Sequence, residues 1–122
     1  MSEAHDAFST IIHVVASGVI HGGHGVTGTA AAATEATSVS FGALAQTEDC
    51  AIADIIPVCV LGPCKVWADG TTPIVVGDFV AVDGSGHYVK QASASTAVSG
   101  MALEALASGL AYIEVLIAPS QG

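Results

Sequence analysis

Arginine is missing from this chain, and lysine occurs only at Lys65 and Lys90, against eleven carboxylates. Nucleic-acid binding depends on Lys and Arg neutralising phosphates, and arginine is also the commonest reader of base edges. At a formal net charge of −9 the chain has almost nothing to do that with. DNA, RNA and anionic lipid surfaces are therefore excluded as partners. Aromatics are scarce as well, at 5%, so the apolar content of 52% is carried by alanine and β-branched residues. Burial stabilises by roughly 25 cal/mol per Å² of apolar area, so a core of small side chains is thin. Oligomerisation or docking on a larger surface is the physical remedy for such a core.

Long hydrophobic runs are lacking too. Residues 11–20 are apolar but interrupted by His13 and Ser17, with no Lys or Arg before them. A membrane helix needs about 20 apolar residues and a signal peptide needs a basic start. The expectation is a chain made and kept in the cytoplasm, or in an assembly built there. Cysteine is limited to Cys50, Cys59 and Cys64, an odd set without C-x-x-C. Such residues are expected as buried free thiols, with a Cys59–Cys64 disulfide as the open alternative.

What is present is a pattern of short β-branched runs between Gly, Asp and Ser, most evident in the last fifty or so residues. The length of 122 residues fits one domain. Phe79 to Val82, the loop Asp83-Gly84-Ser85-Gly86 and His87 to Gln91 read as a hairpin. Val98 to Glu104 and Ala111 to Ile117 read as a closing pair, with Ile113, Val115 and Ile117 on one face. Leu103, Leu106 and Leu110 also fit a short helical face, bracketed by Gly100 and Gly109. Upstream, Ile55 to Leu61 is an apolar run in which Pro57 calls for an edge or a bulge. Gly62-Pro63 reads as a turn and Cys64 to Ala68 as the next strand. Residues 1–38, rich in Gly, Ala, Thr and Ser after Ile20, read as an N-terminal arm or loop region; residues 39–122 read as the β domain. The fold class expected is all-β, a small antiparallel β-barrel or sandwich with an extended N-terminal arm.

Motifs for chemistry are thin. His21-Gly22-Gly23-His24, with His13 upstream, is the constellation that suggests a metal. Zinc asks for three or four His, Cys or carboxylate ligands, and a third ligand here is not obvious. His5, Asp6 or a cysteine would serve only if the fold brought them close. Ser85 beside His87 lies in a turn without a nucleophile-elbow context. Glu48-Asp49, adjacent in sequence, read as solvated carboxylates, and the glycines around Gly22 as flexible chain. The G-G-x-G there lacks the lysine of a phosphate-cradling loop. No catalytic site and no cofactor are expected.

The order Gly77-Asp78-x-Val80, Asp83-x-x-Gly86, Gly100-x-Ala102-Leu103-Glu104, Ala107-Ser108-Gly109 and Ile113-x-Val115-x-Ile117 resembles the tailed-bacteriophage capsid decoration (cement) proteins. The likeness covers residues 58–118. It implies a non-enzymatic protein on the exterior of the virion, synthesised in the host cytoplasm. Such a protein binds the major capsid protein of the expanded head and associates with itself, commonly as a homotrimer. Candidates for the capsid or oligomer interface are Phe8, Ile11, Ile12, Val14, Val15, Val19, Ile20, Trp67, Tyr88 and Tyr112. Trp and Tyr anchor interfaces, although core positions favour the same residues. The alternative from another class is a small-ligand or metal-binding β-barrel using His13, His21 and His24. A third reading is an accessory domain of a bacterial surface or tail structure.

Overall fold

The computed structural model describes residues 9–28, 33–35, 41–91 and 98–120. These form nine strands and, among the described residues, no helix. They are β1 (Thr10–Val15), β2 (Gly25–Gly28), β3 (Ala33–Glu35), β4 (Gly42–Leu44), β5 (Ile55–Asp69), β6 (Phe79–Val82), β7 (Tyr88–Lys90), β8 (Val98–Ala102) and β9 (Leu110–Ser120). The chain is all-β, as its alternation of β-branched and turn residues predicts. The helical option around Leu103–Leu110 is not taken. Leu106 instead makes a bridge to Ile74 and packs against the core.

β5 organises the molecule. Its second half pairs antiparallel with β9, from Gly62↔Ile117 to Asp69↔Leu110. The ring then runs β9–β8–β6–β7 and closes on β5 through one parallel bridge, Ala68↔Tyr88. The result is a five-stranded barrel. The first half of β5 lies between β1 and β4, and β4 continues into β2 and β3. Within this upper sheet neighbouring residues serve two cores. Cys59, Ala43 and Ala45 face the barrel interior, where Tyr88, Val66, Val80, Val115 and Ile117 are packed. Val58, Leu44 and Ile56 face a second cluster with Val14, Ala16, Ile20, Val26 and Cys50.

Two sequence expectations give way here. Gly62-Pro63 is not a turn: the strand runs straight through it, and Gly62 at φ 102° supplies the irregularity at which β5 passes from the upper sheet into the barrel. Pro57 sits in a strand flanked on both sides. Its carbonyl accepts from Ala45 N at 2.9 Å, so its missing N–H points the same way, just past the end of β4. Only the reciprocal bond of that pair, from Pro57 to the Ala45 carbonyl, is forgone, at the very end of the β4 ladder.

Within residues 1–38, Thr10–Val15 and Gly25–Gly28 are strands, β1 paired with β5 and β2 with β3 and β4, and the loose alternation of residues 11–20 fits the first of them. Ile12 and Val14 alternate inward opposite Val58 and Ile56, which gives this stretch apolar area to bury. Phe8, His5 and Asp6 lie outside the described residues. The Phe79–Val82 hairpin and the closing β8–β9 pair form as expected, with Ile113, Val115 and Ile117 buried. All three cysteines are buried thiols, none of them in a disulfide.

Candidate functional site

The segment His21–Gly25 is tied by backbone bonds to β4, to β5 and to the loop between β6 and β7. His24 O accepts from Leu44 N, Gly23 O accepts from Trp67 N, and Gly25 N donates to Gly86 O, each at 3.0 Å. Its glycines are structural. A Cβ on Gly22 would stand 2.2 Å from the Thr47 carbonyl oxygen. Gly23 has φ +75°, and a Cβ there would stand 2.6 Å from the Tyr112 ring. The expectation of a flexible turn is corrected: only glycine lets the backbone approach this closely.

These ties bring together imidazoles distant in sequence. The rings of His21 and His24 lie with centroids 5.1 Å apart, and His24 meets His87 edge-on at 5.0 Å. His24 is buried in the middle of this row. His13 is elsewhere, on β1 opposite Pro57. The trio expected from the sequence is therefore split, and His87 takes the third place.

His87 also adjoins two carboxylates. Its Nδ1 is 3.8 Å from Asp83 Oδ2, and Asp69, Asp83 and His87 each offer a ligand atom within 4.8 Å of the others. Asp83 Oδ1 accepts from Ser85 N and His87 N, and Asp69 Oδ1 accepts from the Thr71 amide and hydroxyl. The Thr71 hydroxyl and amide, in that order, hold the Asp69 carboxyl below its ordinary 3.8. Among the described residues this is the group of three side chains near enough to one another to share a cation. It is not His13, His21 and His24.

Beside the row opens a pocket of about 280 Å³, lined by His21, Gly22, His24, Asp49, Trp67 and Tyr112. Trp67 and Tyr112 are cross-strand partners on β5 and β9, and their rings pack edge to face at 4.8 Å. The Tyr112 hydroxyl lies 3.2 Å from the carbonyl oxygens of both Gly22 and Thr47. Asp49 Oδ1 accepts from Gly22 N at 2.8 Å. Burial pushes the Tyr112 phenol above its ordinary 10.0, and the Asp49 and Glu48 carboxylates push it the same way. The pocket wall is thus aromatic and under negative potential.

The other interface candidates separate by burial. Val14, Ile20 and Tyr88 are fully enclosed in the chain's own cores, and Ile11 and Ile12 are partly buried against them. Val15 and Val19 are exposed, as are Ile52 and Ile55. Sequence reasoning missed a second apolar feature. Phe79, Met101, Leu116 and Pro63 are successive register partners across β6, β8, β9 and β5. The first three are exposed on the outside of the barrel. Alternation along each strand carries that signal, but strand order is needed to see the row.

No family model matches the chain, and no curated protein sequence does either. A solved structure does: the N base of head fiber gp8.5 of bacteriophage phi29, at 19% identity and a TM-score of 0.65. The fold resembles that of a phage head-fiber base. The likeness extends over 94% of this chain and 98% of that one. It takes in the upper sheet with the barrel, well beyond residues 58–118.

Proposed function

We propose that the chain is a structural component of a phage virion. It binds the outer surface of the expanded head, stabilises the major capsid protein lattice and associates with itself as a trimer. The fold likeness to a head-fiber base across nearly the whole of both chains carries this reading. Three further features support it. The charge of −9 keeps the protein off packaged DNA. The outer face of the barrel carries the row Phe79–Met101–Leu116, apolar and solvent-facing, as contact surfaces often are. β1 pairs on one side only among the described residues, with β5, so its other edge can accept a neighbour's strand.

Linkage explains how a modest bond suffices. A protein bound only to the mature lattice, at a free concentration a hundredfold above its Kd, adds about 2.7 kcal/mol at each site. Repeated over a shell, that resists internal pressure without any single strong contact. The test is to add purified protein to expanded heads that lack it and to measure co-sedimentation. Saturable binding with a fixed stoichiometry is expected, and none at any concentration would end the proposal.

A further inference from the structure

The geometry points to the Trp67–Tyr112 pocket as a receptor for a basic side chain, arginine or lysine, presented by a partner protein. Four observations carry it. The pocket has room, at about 280 Å³, and two aromatic rings set edge to face in its wall. A cation held near the face of an indole or phenol ring is attracted by the ring's quadrupole, more strongly when partly desolvated. The carboxylate of Asp49 lines the same space, with Oδ1 held by Gly22 N and Oδ2 without a hydrogen bond among the described residues. Glu48 precedes it, exposed, and adds its charge to the potential at Tyr112.

The cation has to come from outside. Both lysines of the chain are engaged with its own carboxylates, Lys65 with Glu104 at 3.6 Å and Lys90 with Asp78 at 3.7 Å. There is no arginine. A second copy of this chain is therefore a poor donor, and a different protein with an exposed Arg or Lys is the fitting one. Arginine suits the site best, because its planar guanidinium can lie on Trp67 while donating to the carboxylate.

This inference rests on the proposed virion role only for where such a partner is found. The pocket itself can be tested alone. Trp67 is the one tryptophan of the chain, so its fluorescence reports on the pocket directly. The full chain is titrated with acetyl-Gly-Arg-Gly-amide and with the lysine and norleucine counterparts. A saturable change is expected with the arginine and lysine peptides and none with norleucine. Asp49→Asn, whose amide oxygen still accepts from Gly22 N, should weaken binding about fivefold. Glu48→Gln, at an exposed position, should weaken it by a smaller factor. Equal response to the norleucine peptide overturns the proposal, as does silence with all three or unchanged affinity in both variants. A response to phosphatidylcholine vesicles in place of the peptides would overturn it too, by making the occupant a lipid headgroup. Heads that fail to bind while the titration succeeds would count against the virion role and leave the pocket standing.

Discussion

The hydroxyl of Tyr88 donates to the carbonyl oxygen of Gly42 at 3.3 Å, across 46 residues of sequence. Tyr88 fills the barrel interior and Gly42 opens β4 of the upper sheet, so one buried bond joins the two layers. A hydroxyl removed from such a place costs about 1 kcal/mol, and removal of the whole ring about 3–5 kcal/mol. Tyr88→Phe should thus be mildly destabilised and Tyr88→Ala severely so, as read from urea unfolding midpoints. A Tyr88→Ala protein as stable as the parent would mean that the ring is not the centre of the core.

Gly23 gives a sharper local test. Its positive φ and the 2.6 Å approach to Tyr112 leave no room for a methyl group. Gly23→Ala should lose about 1–3 kcal/mol and also alter the fluorescence of Trp67, whose backbone amide donates to the Gly23 carbonyl. A Cβ added at Gly18 would meet nothing within 4 Å, so Gly18→Ala is the matched control and should be near neutral.

The thiols should be silent in the native protein. Cys50, Cys59 and Cys64 are buried, and burial, with the Asp54 and Asp49 carboxylates adding to it, pushes the Cys50 thiol up. A buried, protonated thiol is a poor nucleophile. An aromatic disulfide reagent should label none of the three at neutral pH and all of them in denaturant. Fast native labelling of Cys50 would show that the Ile20↔Cys50 bridge opens readily.

Tyr112 links pH to stability at the alkaline end. Its folded value lies above the ordinary 10.0, so the folded state holds the phenolic proton more tightly than the unfolded chain does. The corresponding stability is full below pH 10.0 and is lost as pH rises through the folded value. In the Tyr88→Phe variant, where Tyr112 is the remaining tyrosine, ultraviolet titration should show it ionising late, and Asp49→Asn should bring it part of the way back. Asp69 acts at the acid end with the opposite sign. Its lowered value adds stability above about pH 3.8 that is lost as pH falls through the folded value. Thr71→Val should raise it, as followed by carboxyl resonances.

Local chemistry in the sequence was enough for some of this. Asp83-Gly-Ser-Gly between two β-branched runs spells a hairpin, and Asp83 does hold the loop through its side chain. The alternation Ile113, Val115, Ile117 marks the inner face of β9 for the same reason of period. What stayed hidden was long-range. Gly62-Pro63 has turn composition, and only the neighbours of β5 show that the strand continues through it. His87 joins His24 because Gly25 N reaches Gly86 O, a contact with no local signature. Gly22 and Gly23 resemble linker residues until Thr47 and Tyr112 are seen pressing against them. Asp49 looks like half of a solvated acidic pair, yet it fastens Gly22 and faces the pocket.

A single ribbon, Ile55–Asp69, is the wall of both packed interiors. Neither half can come apart while the other stays whole, so heating should produce one calorimetric transition. Tension applied to the upper layer would travel along the same backbone into the barrel, which makes this small body suited to being pulled on as one piece.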